Sequence, residues 1–367
     1  VIDPYFTASK YHWLLRNTRG IGRKLRAGHV AAGTVDSYLV WQLTAGDVHV
    51  TDVSNASRTS LMNLNSCRWD PRLLEIFEVP AEILPRIVPS SAVLGHTRGV
   101  SGLPAGIPIA GIAGDQQAAS FGQACFAVGD AKCTFGTGSF IVMNVGHEPL
   151  HSRAGLLSTV AWQLGEQGKT VYALEGGAFV CGAAVQWLRD GLGLIRRASE
   201  VEALAAQVPD HGGVEFVPAL TGLGAPHWAP DARGLLTGLT RGTERGHIAR
   251  ATLDAMALQN ADILGAMQSD LGRKMKPLRV DGGAAANDLL MQIQADVLGH
   301  RLIRPAVIET TVAGACYLAG LGVGIWNNPT EVKKIWKAER EFSVQMKAPA
   351  RRRRLASWET ALRRTLM

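Results

Sequence analysis

The chain has 367 residues, 47% of them apolar and only 19% charged, which excludes a largely disordered polypeptide and suggests two folded domains. The net charge of +7 sits after residue 330, where eleven lysines and arginines face four acids; the preceding residues carry 27 charges of each sign. A neutral body with a short basic tail advertises no groove for nucleic acid. Five scattered cysteines without a C-x-x-C pair fit neither a disulfide framework nor a zinc site and suit a reducing, cytoplasmic setting.

In chain order, residues 10–30 read as a helix around Trp13 and Leu14 followed by a glycine-studded loop, and Gly33 to Leu43 as a short apolar helix. Val48 to Asn63 is rich in Thr, Ser and Asn and reads as irregular backbone. Asp70-Pro71 opens a helix through Phe77, because Asp caps well and Pro suits the first helical turn. Five prolines break Pro80 to Pro108 into extended and turn segments. Ile107 to Gly114 is a short apolar strand with Asp115-Gln116-Gln117 at its end, and Ala118 to Cys125 is helical.

Two β-prone runs flank Gly136-Thr137-Gly138 within 131–143, the pattern of a tight hairpin. Thr170 to Leu174 is a strand leading into a Glu175-Gly176-Gly177 turn and a helix through Gln186, Trp187 and Leu188. Leu278 to Val280 is a strand, Asp281-Gly282-Gly283 a turn, and Asn287 to Leu298 a helix with one apolar face. Thr310 to Thr330 is free of charge, but its apolar heart, Val312 to Trp326, is shorter than the roughly 20 residues of a membrane span. It reads as a small-residue helix packed in a soluble core. The basic tail ends in a helical stripe of Leu355, Trp358, Leu362 and Leu366, expected to dock on the body while its arginines stay wet.

A strand, a glycine turn bearing Asp, Thr or Asn, and a helix recur near 111–118, 174–186 and 280–290. Glycine turns let phosphate oxygens approach backbone N–H groups, and a helix N-terminus favours negative charge. Three such units point to nucleotide phosphates. Other phosphate and metal signatures fail on inspection. Gly168-Lys169-Thr170 resembles the end of a Walker loop, but Gln163 stands where its first glycine belongs. No G-x-G-x-x-G follows a strand. His147 and His151 are spaced by four, but Pro149 lies between them and no zincin Glu follows His147, so no metal ligand is assigned. Asp115 has two readings, a helix cap or a functional carboxylate at a strand end; the Asp-Gln-Gln triple near Gly-Thr-Gly favours the second. Asp281 reads as a turn residue. Tyr5 and Phe140, taken alone, read as core aromatics. Arg351 to Arg354 read as a solvated face.

Asp3-Pro4-Tyr5-Phe6, Asn55-Ala56-Ser57-Arg58-Thr59, Gly114-Asp115-Gln116-Gln117, Phe135-Gly136-Thr137-Gly138, Gln186-Trp187-Leu188-Arg189-Asp190 and Val280-Asp281-Gly282-Gly283 together resemble the FGGY carbohydrate kinases. The first two segments favour the glycerol branch. The resemblance runs along nearly the whole chain and weakens in the arginine-rich tail. It implies an α/β, two-domain fold of the actin, Hsp70 and hexokinase (ribonuclease H-like) type. Residues 1–124 would be the later part of a substrate domain whose beginning is missing, and 125–367 a nucleotide domain with a basic C-terminal helix. The implied reaction is ATP-dependent phosphorylation of glycerol with Mg²⁺ bound through the nucleotide, by an enzyme that forms no stable membrane association and is open to homo-oligomerisation. Carried over, Asp115 would be the general base, Gln116 and Tyr5 would hold glycerol hydroxyls, and Phe140 would lie against the carbon chain. Thr137 and Gly138 would contact phosphates, Gly182 and Gln186 the ribose and adenine side, and Gly283 and Asn287 would complete the nucleotide pocket.

The departures are as informative. The chain opens on Val1 rather than Met and reads as a fragment. The resemblance implies a first Gly-Thr-Thr phosphate loop, an Arg-Glu pair and a Trp upstream of Val1, so the 367 residues are expected to be catalytically incomplete. His227-Trp228-Ala229-Pro230 stands where Tyr-Trp-Asp-Pro is typical. The rival functions are a pentulose or sugar-acid kinase of the same family, or a non-catalytic nucleotide-binding module.

Overall fold

The computed structural model describes residues 5–273 and 275–367, so the Asp3-Pro4 half of the Asp-Pro-Tyr-Phe segment lies outside the described residues. The first third is a succession of short elements. Helices α1 (Thr7–Asn17), α2 (Ile21–Arg26) and α3 (Val35–Leu43) precede strand β1 (Val50–Asp52), helix α4 (Val53–Ala56), and strands β2 (Met62–Asn63) and β3 (Arg68–Trp69). Helix α5 (Pro71–Ile76), strands β4 (Arg86–Val88), β5 (Ser91–His96) and β6 (Pro108–Gly111), and helix α6 (Asp115–Gly122) follow. Among the described residues these strands pair only as two-stranded ladders: β1 with β4 in parallel, β2 with β3 and β5 with β6 antiparallel. As expected, Asp70 caps α5, accepting from the N–H groups of Arg72 and Leu73.

The stretch expected to be irregular, 48–63, instead holds β1, α4 and the start of β2. Its polar residues are capping chemistry. The buried Asp52 carboxylate accepts from the N–H groups of Ser54 and Asn55 and from the Ser90 hydroxyl at 2.6 Å, which starts α4 directly from the strand end.

The remainder is built on one large sheet, with Glu215–Val217 and Leu235–Thr237 paired apart from it as an antiparallel ladder. Strands β7 (Ala131–Phe135), β8 (Ser139–Gly146), β9 (Leu157–Trp162) and β10 (Val171–Ala178) are followed by helices α7 (Gly182–Asp190) and α8 (Glu200–Ala205). Strands β11 (Glu215–Val217) and β12 (Leu235–Thr237) lead to the long helix α9 (Arg245–Leu271), then β13 (Leu278–Asp281), α10 (Asp288–Leu298) and β14 (Leu302–Pro305). Helices α11 (Thr310–Gly322) and α12 (Pro329–Ile335), strand β15 (Ala338–Phe342) and helix α13 (Ala348–Thr365) close the chain. Among the described residues seven strands form this sheet, in the order β15-β14-β13-β7-β8-β10-β9, with β7, β13 and β14 mutually parallel. Helix α9 lies in the core, buried on every face from Ala251 to Asn260, its Leu253, Met256 and Leu258 packed with Phe135, Ile141 and Leu174 of the sheet.

Strand β10 runs through Glu175-Gly176-Gly177 to Ala178, so that segment is strand interior and the turn falls after it. In the tail, Trp358 and Leu362 dock as expected, but Leu366 is exposed and Arg354 is not wet. Arg354 is four residues before Trp358 and shares its buried helix face, where it pairs with Glu215 at 2.7 Å and Asp254 at 3.3 Å.

The charge-free stretch forms α11, and among the described residues no helix is long and apolar enough to cross a membrane. Helix α11 packs on α6 and against β5 and β6. A Cβ on Gly314 would stand 1.8 Å from the carbonyl oxygen of Ala118, so only glycine permits this approach. The late helix thereby fixes α6, the element that carries Asp115.

Candidate active site

Asp115 is the first residue of α6 and is exposed. Gly114, not Asp115, is the N-cap, and no side chain caps this helix. The Asp115 carboxylate accepts from the backbone N–H of Gln116 at 2.8 Å and from the Gln116 side-chain N–H at 3.3 Å. The capping reading therefore does not describe it.

Behind this carboxylate runs a buried polar chain. The Lys132 ammonium, on β7, donates to the side-chain oxygen of Gln116 and to the Thr134 hydroxyl at 2.8 Å. Thr134 donates to Asp281 at 2.5 Å, and the second oxygen of Asp281 accepts from Gln123 at 2.8 Å and Thr310 at 2.7 Å. Asp281 is thus a buried acceptor at the end of β13, tying β7, β13, α6 and α11 together, and not merely a turn residue. Burial pushes the Lys132 ammonium below its ordinary pKa, and the Asp281 carboxylate opposes that shift. Neither Lys132 nor this role of Asp281 is legible from spacing.

Strand β7 continues from Thr134 into the expected hairpin, closed by the Gly136 N–H on the Gly138 carbonyl at 2.9 Å. The start of α7 is clamped onto it. Cys181 and Ala183 donate to the Thr137 carbonyl and Gly182 to the Gly136 carbonyl, all within 3.0 Å. A Cβ on Gly182 would lie 2.6 Å from that Gly136 oxygen. These N–H groups, expected from the sequence to be open to phosphate, are occupied by the hairpin. Thr137 stays exposed, and its N–H and hydroxyl have no partner among the described residues.

Thr137, Gly182, Gln186, Gly283 and Asn287 all line one cavity of about 400 Å³. Its floor is apolar, with Val185, Leu253, Met256 and Leu290, and Arg189, Ser199 and Glu202 add polar groups that the sequence did not single out. Two of its polar residues also serve the scaffold: Asn287 caps α10 through the Leu290 N–H, and Glu202 accepts from the Leu289 N–H at 2.9 Å. Gly138 is buried against Ala178 and does not line this cavity.

Tyr5 and Phe140 meet in a second cavity of about 320 Å³ with Phe6, Phe179 and Trp228. Its charged wall is the pair Arg58–Glu175 at 2.9 Å, and the Arg58 guanidinium lies over the rings of Tyr5 and Phe6. The second oxygen of Glu175 is buried without a hydrogen-bond partner among the described residues. Asp115 and Gln116 line neither cavity. The structure thus gathers the expected nucleotide residues, Gly138 excepted, in one place and the two aromatic residues in another, with Asp115–Gln116 joined to the hairpin by the polar chain. Among the described residues no group of three or more His, Cys, Asp and Glu side chains is placed to hold a metal.

Comparison with known proteins agrees along the whole chain. The N-terminal domain profile of the FGGY family of carbohydrate kinases matches residues 1–122 and its C-terminal domain profile residues 131–323. The glycerol kinase of Bdellovibrio bacteriovorus is 61% identical over 99% of this chain and 73% of its own length. That of Myxococcus xanthus is 56% identical with the same coverage. The crystal structure of Plasmodium falciparum glycerol kinase with ADP superposes with a TM-score of 0.93 at 37% identity, over 100% of this chain and 72% of that one. A xylulose kinase from Rhodospirillum rubrum, at 24% identity and a TM-score of 0.82 over 98% of this chain and 72% of its own, shares the fold.

Proposed function

The chain belongs to the FGGY family of carbohydrate kinases, with that family's two-domain α/β fold, and we propose that it phosphorylates glycerol with ATP to give sn-glycerol 3-phosphate and ADP. The observation that carries this reading is the continuity of the site. The cavity that collects Thr137, Gly182, Gln186, Gly283 and Asn287 shares its hairpin with the strand whose Lys132 and Thr134 lead to Gln116 and Asp115. The identity to proteins named glycerol kinase, 61% and 56%, supports glycerol over a ketopentose or sugar acid.

In this reading the Asp115 carboxylate takes the proton of the attacking hydroxyl as its oxygen bonds to the γ-phosphorus, and the β–γ bridging bond breaks with its electron pair leaving on ADP. Gln116 and Tyr5 hold the remaining hydroxyls and Phe140 flanks the carbons. Thr137, supported by Gly138, donates to phosphate oxygens, while the apolar floor near Gln186 takes the base. Both Asp281 oxygens are already engaged, and the exposed Asp115 is a single carboxylate, so the donors suit a cation carried mainly by the nucleotide. Mg²⁺ in that position would neutralise charge on the transferring group.

We place the domain boundary at 124/125, in the link between α6 and β7. The Gly-Thr-Thr loop implied by the resemblance is not within the 367 residues, which by themselves are expected to bind nucleotide and turn over poorly. Turnover is therefore tested on the product of the complete reading frame, with a panel of glycerol, a ketopentose and a sugar acid. Glycerol is expected to lead in kcat/KM by at least about tenfold. Preference for the ketopentose would overturn glycerol as the substrate, and no phosphorylation of any member would favour a nucleotide-binding module.

A further inference from the structure

We propose that Lys132 is a positioning residue for the acceptor side of the site: it fixes the polarity of the Gln116 side-chain amide, so that Gln116 presents its N–H to Asp115 and to the substrate hydroxyl beside it. The inference rests on the reading above, in which Asp115 and Gln116 meet the substrate.

Lys132 is the second residue of β7, paired between Val142 and Arg279 of the flanking strands, and is fully buried. Among the described residues its ammonium forms no ion pair; its partners are the neutral Thr134 hydroxyl and Gln116 oxygen. A buried cation with neutral partners is costly, and a hydrophobic residue would fill a strand position without that cost.

The gain lies in what an ammonium cannot do. It has donors and no acceptor, so only the oxygen of an amide can face it. A terminal amide in Gln is otherwise free to turn over by half a rotation. Turned over here, it would set an N–H₂ group against an ammonium. With the oxygen held inward, the nitrogen is left to Asp115, which it reaches at 3.3 Å. The start of α6 then offers one acceptor, Asp115, beside one donor, Gln116. An alcohol needs that pair, because its hydrogen goes to the carboxylate while an oxygen lone pair takes the N–H.

The anchor is itself anchored. Thr134 accepts from Lys132 and donates its one proton to Asp281, which can only accept, and Asp281 is held from its other side by Gln123 and Thr310. The direction of every hydrogen bond from β13 to Gln116 is therefore set by a carboxylate that only accepts at one end and an ammonium that only donates at the other.

The test is a double-mutant cycle in the product of the complete reading frame. Lys132→Met is expected to raise KM for glycerol at least about tenfold while KM for ATP stays within about twofold. Gln116→Leu is expected to do the same, and the double variant to fall within about threefold of the worse single variant, because one amide contact is lost in each case. Fully multiplicative losses, or an equal rise in KM for ATP, would overturn the inference. If Lys132→Met does not fold, Gln116→Glu decides the matter. It keeps an oxygen against Lys132 and has no N–H to give, so glycerol kcat/KM should fall at least about tenfold with ADP affinity retained; parent kinetics would overturn the inference. Absence of glycerol phosphorylation in the parent protein is a different failure. It sinks the functional reading, and the cycle is then run with the alcohol the panel selects.

Discussion

The Gly136–Gly138 hairpin and the first third of the chain are held in place in different ways. Around the cavity, backbone packs on backbone: the hairpin at Gly136–Gly138 receives the start of α7 with no room for a side chain at Gly182, and a seven-stranded sheet stands behind it. In the first third, strands pair only two at a time and carboxylates do the joining. Asp52 gathers Ser54, Asn55 and Ser90, while Asp36 gathers Thr34, Thr51 and the Asp52 N–H. Apolar residues of α3, among them Val35 and Tyr38, remain exposed there. A backbone-built site should fail on the addition of a few atoms, whereas a side-chain-built one should respond to charge and pH.

Gly182→Val presses hardest on that contrast. A Cβ 2.6 Å from the Gly136 oxygen must displace the hairpin or α7, and ADP affinity should fall on the order of 100-fold, equivalent to ~3 kcal/mol of forced shift, by isothermal titration. Near-parent affinity would show that the hairpin yields freely.

Arg354→Met tests the charged anchor of α13. It leaves Glu215 without its guanidinium and Asp254 with Arg250 alone, and should cost about 3–5 kcal/mol in urea unfolding. Adding Glu215→Leu should recover much of that loss, because the stranded charge is then gone.

Asp52 supplies the pH test. Burial, the leading cause, pushes its carboxyl up to about 6 despite three hydrogen bonds that lower it. A raised carboxyl binds its proton more tightly in the folded state, so its contribution to stability is largest at low pH and is lost as pH rises from about 4 to about 6. Asp52→Asn should therefore cost more at pH 5 than at pH 7, by on the order of 1–3 kcal/mol. A cost independent of pH would mean the group does not titrate there. At the small end, Arg16→Ala removes an exposed pair with Glu78 and should leave the melting temperature unchanged within error.

What the sequence makes legible follows from the range of the interactions. The hairpin at 131–143 and the strand, turn and helix at 278–298 read correctly because turn residues and periodicity are local signals. Glu175-Gly176-Gly177 read as a turn because the reason for its glycines is distant: a Cβ on Gly177 would lie 3.0 Å from the Phe140 ring, one strand away. Arg354 read as wet because its partners, Glu215 and Asp254, lie 139 and 100 residues off. Asp115 was visible as a carboxylate at a strand end, but Lys132 behind it was not, since a lysine between apolar residues of a strand carries no motif. The clamp of α7 on the hairpin was equally hidden, and it reassigns N–H groups that local reasoning offered to phosphate.

We propose that Asp115 takes the proton of the attacking alcohol beside a nucleotide bound at the Gly136–Gly138 hairpin. Asp115→Asn, in the product of the complete reading frame, measures this most directly through glycerol-dependent ADP release alongside ADP affinity. Turnover should fall by about 10²–10⁴-fold with ADP affinity within twofold of the parent. Turnover within tenfold of the parent would contradict it.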